Sequence, residues 1–343
     1  MRTSTKMLQD LQKKALSLAG VVAHAPAFLP FVTARRDSAL GRQLRARPEL
    51  WGMAVTPFVC ADWTVSERIN ALVEHCRSVD QLPAKLAQAT ETDVELMRLE
   101  ELGPCFRVVL HQVGWMLREG PLTLSLFDGD QRLFSLSFSL VGEAGGVVAY
   151  VGGLQGLHSP AALECYREIT KAAYGLRPRD LLFELFCALC RRLGVTQIKG
   201  VTDERHSLTS AYARRNSPVS AEAPRLRYNE AWRERGGAQI SAAFFELPVA
   251  AQRRDSSEIP GKKRKLYASR YLLLNLWESR LDSAVTGLAT PVAQPALNAP
   301  ARPRHAEPAL DAAAGSQSAH DAIPAWRPTQ PAAKEVMQRF ELA

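Results

Sequence analysis

Four short apolar runs, each separated from the next by turn-forming residues, constrain the fold of this chain more than any other feature. The separators are rich in glycine, proline and aspartate, which are typical of hairpin turns. The third run has serine at alternate positions, so one face of that strand is expected to be apolar and the other polar. We therefore predict an antiparallel meander, with strands over 106–112, 122–127, 133–140 and 147–152.

Two helices and a further strand are expected after the meander. The first helix is predicted over 159–173, with Ser159 as its N-cap and Gly175 ending it. The second, over 178–193, is apolar on most sides, so we place it against the sheet. A strand over 195–201 follows, and a crossover of this kind favours a parallel neighbour. The prediction is an α+β fold with an antiparallel meander and central crossover helices.

Composition divides the chain into three regions. Residues 1–103 are expected to form a helical N-terminal region, and residues 104–285 the α+β core domain. Residues 286–343 are rich in alanine and contain eight prolines. Such a segment buries too little apolar surface to offset the entropy of ordering, so this tail is predicted to be disordered.

Further elements are predicted on both sides of the meander. Amphipathic patterns indicate two helices over 64–100. After the crossover we expect a helix over 228–235, a strand over 239–247 and a long basic helix over 256–281.

Charge and cysteine content bear on partners and compartment. The net charge of +8 biases the surface toward anionic small molecules or anionic lipid, and no specific nucleic-acid motif is present. Six cysteines are too few for a disulfide scaffold, which fits a reducing cytoplasm. The apolar stretch over 15–33 is interrupted by prolines, so no transmembrane segment is expected. It also has features of a secretory signal, but Asp10 and Pro26 favour the cytoplasm over export.

Two residues are candidates for catalysis. Gln155 lies in a glycine-rich strand end, where the backbone can approach a ligand closely. The alternative for these glycines is a β-bulge. His206 follows the 195–201 strand and is the best general-base candidate, because imidazole titrates near neutral pH. The alternative for His206 is a structural hydrogen-bonding role.

The turn that opens the second crossover helix is a candidate anion site. Arg177 and Arg179 stand at a helix N-terminus, where the helix dipole disfavours positive charge unless an anion lies nearby. The alternative is that both arginines point to solvent or pair with Asp180 and Glu184.

A basic run opens the long helix. Lys262, Lys263 and Arg264, with Arg270 further along, could bind an anionic lipid surface, and the alternative is a solvated face.

Cys187 and Cys190 lie mid-helix and lack a second ligand pair, so core packing and no metal site are expected.

A string of local motifs resembles the VirK/YbjX family of Gram-negative bacteria in order and spacing. The motifs are Tyr150-Val151-Gly152-Gly153-Leu154-Gln155-Gly156, Thr170-Lys171, Tyr174-Gly175-Leu176-Arg177-Pro178-Arg179-Asp180-Leu181-Leu182, Ile198-Lys199-Gly200-Val201, His206, Tyr228-Asn229-Glu230-Ala231-Trp232, Gly236-Gly237, Lys262-Lys263-Arg264, Tyr267 and Arg270-Tyr271.

The resemblance implies a role in virulence, envelope remodelling and tolerance of antimicrobial peptides, with no established reaction. A second resemblance, to the GNAT-like acyltransferase fold, implies an acyl- or aminoacyl-transferase whose acyl-CoA or aminoacyl donor binds at the turn into the crossover helix. The alternative is a non-catalytic membrane-peripheral or regulatory protein that acts through the basic helix, so the sequence leaves open whether this is an enzyme. The donor-binding residues implied are Gly152, Gly153, Gly156, Lys171, Gly175, Arg177 and Arg179.

Overall fold

Eight strands form the sheet in the computed structural model, which describes residues 20–157, 160–210, 227–250 and 253–289. The strands are β1 (Val94–Arg98), β2 (Phe106–His111), β3 (Leu122–Asp128), β4 (Gln131–Glu143), β5 (Gly146–Gly156), β6 (Val195–Val201), β7 (Ala238–Gln239) and β8 (Phe244–Leu247). Their spatial order is β1-β2-β3-β4-β5-β6-β8-β7.

The meander and its crossover are both confirmed. Strands β1 to β5 pair antiparallel in chain order. Strand β5 then pairs in parallel with β6, and β6 pairs antiparallel with β8. The short strand β7 pairs antiparallel with the other edge of β8. The result is a mixed α+β fold around a mostly antiparallel sheet.

Helices cover the sheet, and their apolar faces join its core. The central one, predicted from its apolar sequence, packs Phe186 against Phe138 of β4 with ring centroids 4.9 Å apart. The described residues belong to one compact unit. The helices are α1 (Leu29–Val32), α2 (Ala39–Ala46), α3 (Glu49–Val55), α4 (Val65–Asp80), α5 (Ala84–Ala87), α6 (Pro160–Ala172), α7 (Pro178–Arg192), α8 (Tyr228–Glu234) and α9 (Gly261–Ala289).

The serine-bearing face of β4 is buried as well as the apolar one. Ser135 and Ser137 are fully buried. Their hydroxyls bond those of Ser125 at 2.6 Å and Thr123 at 2.7 Å on β3. A buried hydroxyl needs a hydrogen-bond partner, and these hydroxyls satisfy each other. The alternating serines in the sequence are therefore paired inside the protein and do not mark a solvent-exposed face.

Three sequence predictions need correction. The last part of the predicted 64–100 helical region is strand β1, at the edge of the sheet. A bulge in β1 buries two consecutive residues, so the strand lacks the usual alternation of buried and exposed side chains. The predicted strand over 239–247 is a hairpin of β7 and β8, because Ser241 Oγ accepts the N–H groups of Ala243 and Phe244 in a turn. The long helix begins at Gly261, directly after Pro260, and continues beyond the predicted end. The Ser159 cap and the tail beyond 289 lie outside the described residues.

Candidate functional site

Gln155 and His206, which the sequence singled out for chemistry, meet at the carboxylate of Glu119. The side-chain amide of Gln155 donates to both carboxylate oxygens, at 2.8 and 2.7 Å. Nε2 of His206 lies 3.1 Å from Oε1 of Glu119. Glu119 and His206 are only 2% and 5% exposed, so this contact forms inside the protein. We call these three residues the Glu119 centre.

The Glu119 centre lies where two parallel strands separate. Strand β5 pairs with β6 only as far as Val151 opposite Gly200, and beyond that point β5 continues to Gly156 with β4 alone. Gln155 belongs to this unpaired continuation, and His206 follows the end of β6. The separation leaves room for side chains between the strands.

Two glycines allow Glu119 to approach β5. A Cβ on Gly152 would lie 2.1 Å from the backbone oxygen of Glu119, and a Cβ on Gly153 would lie 2.3 Å from its Oε2. Gly152 also has no partner residue on β4. It therefore forms a β-bulge, which was the alternative interpretation of these glycines from the sequence. The close approach predicted at these glycines is thus made by the chain's own Glu119.

The orientation of His206 is fixed on two sides. Its Nδ1 accepts the N–H of Leu208 at 3.2 Å, so a neutral ring must carry its proton on Nε2, the atom that faces Glu119. That N–H is not aligned for a hydrogen bond to any described residue, and its contact with Glu119 is therefore electrostatic. The ring stacks on Tyr228 with centroids 4.9 Å apart.

Tyr228 fills the gap between the separating strands. Its hydroxyl accepts the N–H of Leu154 at 3.2 Å, and burial raises the pKa of Tyr228 well above the usual range. The carboxylate of Asp203 accepts the N–H groups of Tyr228 and Asn229, which holds the start of α8 beside β6.

A half-buried cation and an exposed ring lie beside Gln155. Arg132 donates to Ser135 Oγ and to the Gln155 carbonyl, and its guanidinium lies over the Trp115 ring at 4.6 Å. Burial lowers the pKa of Arg132, while its interactions with Tyr166 and Glu119 oppose that shift. Because Trp115 is exposed and Gln155 only half-buried, the Glu119 centre is closest to the surface here.

Two adjoining clefts, of about 340 and 380 Å³, lie elsewhere, between α7, the end of α8, the segment before α9 and α9 itself. Neither is lined by the Glu119 centre. The first, which we call the arginine cleft, is lined by both Arg177 and Arg270. Gly175 adjoins it: a Cβ there would lie 2.9 Å from the Arg270 guanidinium.

The arginines at the start of α7 are paired with the chain's own carboxylates. Arg177 and Arg179 both contact Asp180 and Glu234. Arg235 also contacts Asp180. Burial alone would raise the pKa of Asp180, but these three guanidinium groups outweigh it and lower that pKa. Asp180 and Glu234 therefore supply the anion that the arginines require, and a pyrophosphate at this turn would have to displace one of them.

The remaining predicted site residues are dispersed. A Cβ on Gly156 would meet the Phe134 ring and the Tyr166 hydroxyl. Lys171 lies in the last turn of α6 and is exposed. Lys262, Lys263 and Arg264 are exposed in the first turn of α9.

Sequence reasoning missed Glu119, Tyr228 and Glu234 as site residues. Glu119 lies in a turn between two strands, and no local pattern distinguishes it from an ordinary turn carboxylate. The described part of the chain holds no cluster of three or more histidine, cysteine or acidic residues arranged for a metal ion. None of its helices is both long and apolar enough to cross a membrane.

The fold and site define an α+β protein with a mostly antiparallel eight-stranded sheet and a buried carboxylate–imidazole contact. The chain belongs to the family described as "Protein of unknown function (DUF535)", whose model matches residues 8–283. This confirms the VirK/YbjX resemblance.

Relatives are found in two bacteria. The chain is 28% identical over 254 residues to the uncharacterized protein YbjX of Escherichia coli (strain K12), covering 71% of this chain and 74% of YbjX. An uncharacterized protein of Haemophilus influenzae (strain ATCC 51907 / DSM 11121 / KW20 / Rd) is 25% identical over 221 residues, covering 64% of this chain and 70% of that protein. No solved structure matches the chain.

Proposed function

We propose that this protein is a GNAT-like transferase that moves an acyl or aminoacyl group at the Glu119 centre. One observation carries the proposal: Gln155 and His206, from separate segments, contact the same buried carboxylate. The order of a meander, a crossover to a parallel strand and a further antiparallel strand supports the GNAT-like comparison. Cytoplasmic location and the implied link to virulence and antimicrobial-peptide tolerance through envelope modification belong to the same proposal.

The chemistry asked of the site is a proton transfer coupled to acyl transfer. An amine or hydroxyl attacks the donor carbonyl, the bond from that carbonyl to its carrier breaks, and the proton of the nucleophile ends on the carrier. Glu119 is suited to receive the proton, because its carboxylate is held in a fixed orientation between Gln155 and His206. Glu119 then delivers this proton to the departing carrier, and the Nε2–H of His206, which faces the carboxylate, stabilises its charge.

The acceptor would approach from the side of Gln155, Arg132 and Trp115, where the Glu119 centre is closest to the surface. Gln155 orients the carboxylate through its two hydrogen bonds. No step needs the Gly175–Arg179 turn, whose arginines already hold carboxylates.

A donor screen tests this proposal. Full-length protein is incubated with coenzyme A thioesters and aminoacyl donors together with amine and hydroxyl acceptors, and carrier release is measured. We expect His206→Gln and Gln155→Ala to lower turnover about a hundredfold. Glu164→Gln, which removes an exposed carboxylate on α6, is the control and should match the wild type. The proposal is wrong if the wild type consumes no donor, or if both variants keep full activity.

A second candidate function is binding to a membrane surface through α9. It is favoured by the exposure of Lys262, Lys263 and Lys265 beside the exposed Leu266 in the first turns of that helix. Co-sedimentation with phosphatidylglycerol vesicles should then fall when Lys262 and Lys263 are replaced by alanine. Unchanged sedimentation of this double variant, or no sedimentation of the wild type, contradicts that function.

A further inference from the structure

The arginine cleft carries more positive than negative charge. Five arginines from four segments line it, against three carboxylates. Its volume of about 340 Å³ is at the lower end of the range for small-molecule sites. The arginines are Arg177, Arg235, Arg253, Arg254 and Arg270, and the carboxylates are Asp180, Glu184 and Glu234.

The two carboxylates that hold the α7 arginines differ in accessibility. Asp180 is buried and contacts three guanidinium groups, so it is part of the folded core. Glu234 ends α8, its side chain is 40% exposed, and it contacts Arg177 at 3.0 Å as well as Arg179. Exposed ion pairs contribute little stability, so Glu234 is the carboxylate that a ligand can replace.

One cation on the cleft wall has no partner. Within the described residues, the Arg254 side chain makes no hydrogen bond, ion pair or ring contact, and only its backbone N–H is bonded, to the Tyr271 hydroxyl. Arg253, next to it, is engaged by Glu278 and the Tyr271 ring. Among the described residues, the cleft therefore offers two guanidinium groups to a ligand. That of Arg254 has no partner, and that of Arg177 contacts Glu234, which a ligand can replace.

We propose that the arginine cleft binds a small molecule bearing a phosphate or diphosphate group, which takes the place of Glu234 on Arg177. A phosphate offers three acceptor oxygens and more charge than a carboxylate, and the arginine fork binds it in a bidentate geometry. Tyr267 and Leu274 form a less polar wall for the rest of the molecule. This site is independent of the reaction proposed at the Glu119 centre.

Substitution of Glu234 should increase the affinity for the ligand, so the direction of the expected effect is defined. Binding of inorganic pyrophosphate to the full-length protein is measured by calorimetry, with melting temperatures confirming that each variant folds. Glu234→Gln removes the competing charge and should bind pyrophosphate several-fold more tightly. Glu230→Gln, which alters another exposed carboxylate on α8, is the matched control and should bind as the wild type does.

Arg254→Ala tests the cleft without removing any other contact of that side chain. It should weaken pyrophosphate binding about tenfold, whereas Arg167→Ala on α6 should leave it unchanged. Vesicles containing phosphatidylglycerol are measured alongside. If only vesicles bind and Arg254→Ala abolishes that binding, the phosphate belongs to a lipid. If neither probe depends on Arg254, or if Glu234→Gln binds pyrophosphate no more tightly than the wild type, the site is refuted.

Discussion

Nε2 of His206 lies 3.1 Å from Oε1 of Glu119, and both side chains are buried where β5 and β6 separate. Burying a carboxylate sacrifices several kcal/mol of hydration, and a well-packed apolar pair is often at least as stable. Stability alone therefore gives no reason to bury this pair, and the proposed role of Glu119 in proton transfer would give one.

Two substitutions of Glu119 should distinguish the contribution of its charge to stability from the contribution of its hydrogen bonds. Glu119→Gln keeps an acceptor for Gln155 and removes a buried charge, so we expect the free energy of unfolding to change by less than about 1 kcal/mol. Glu119→Ala leaves the Gln155 amide without its partner and should cost about 2 kcal/mol. Urea denaturation of both variants measures this. Equal losses would mean that the carboxylate has a structural role.

The glycines under Glu119 should not tolerate a side chain. Gly153→Ala forces a Cβ to within 2.3 Å of Oε2 of Glu119, and we expect a loss of about 1–3 kcal/mol. Gly145→Ala, where no atom lies within 4 Å, is the control. When Gly153→Ala is combined with Glu119→Ala, part of its penalty should disappear, since most of the opposing side chain is gone. An identical penalty with and without Glu119→Ala would contradict the packing described.

His75 should make folding sensitive to mild acid. Its Nδ1 accepts the N–H of Leu140, and burial lowers the pKa of His75 to about 3. An unfolded histidine titrates near pH 6.5, so below that pH the unfolded chain binds a proton that the folded protein does not. Stability attributable to His75 is therefore complete above pH 6.5 and falls by about 1.4 kcal/mol per pH unit below it.

Asparagine offers an oxygen near the position of Nδ1 without the titration. His75→Asn should lose less stability than the wild type between about pH 6 and pH 5, with parallel curves above about pH 7.5. Denaturant midpoints across this range measure the difference. Parallel curves over the whole range would exclude His75 as a source of the acid sensitivity.

Thiol labelling should follow burial. Cys105 is exposed, whereas burial raises the pKa of Cys76 to about 12 and that of Cys187 and Cys190 further. N-ethylmaleimide at neutral pH should therefore modify Cys105 first, because the thiolate is the reactive form. Mass spectrometry of the native protein should find Cys187 and Cys190 unmodified until denaturant is added. Rapid native labelling of that pair would contradict its place in the core.

The sheet was predictable because its signals are local. Turn residues such as Gly129 and Gly146, both at positive φ, mark the hairpins, and the apolar run of α7 marks the helix that must cover the sheet. Strand β1 was missed because a bulge between Glu95 and Met97 breaks the alternation on which strand prediction depends.

The site was predictable only in part, because its contacts are long-range. Gly152 and Gly153 indicated a close approach, but the sequence cannot show that Glu119 makes it. The arginines at the start of α7 indicated a nearby anion, and Asp180 is next to them in the chain. Glu234, their other partner, comes from a distant helix and carries no local signal.

Turnover by Glu119→Gln is the most direct test of the Glu119 centre. With the donor that the wild type consumes, and at a melting temperature close to that of the wild type, we predict a rate at least about a hundredfold lower. A Glu119→Gln variant that turns over that donor at the wild-type rate would contradict the assignment of Glu119 as the proton acceptor.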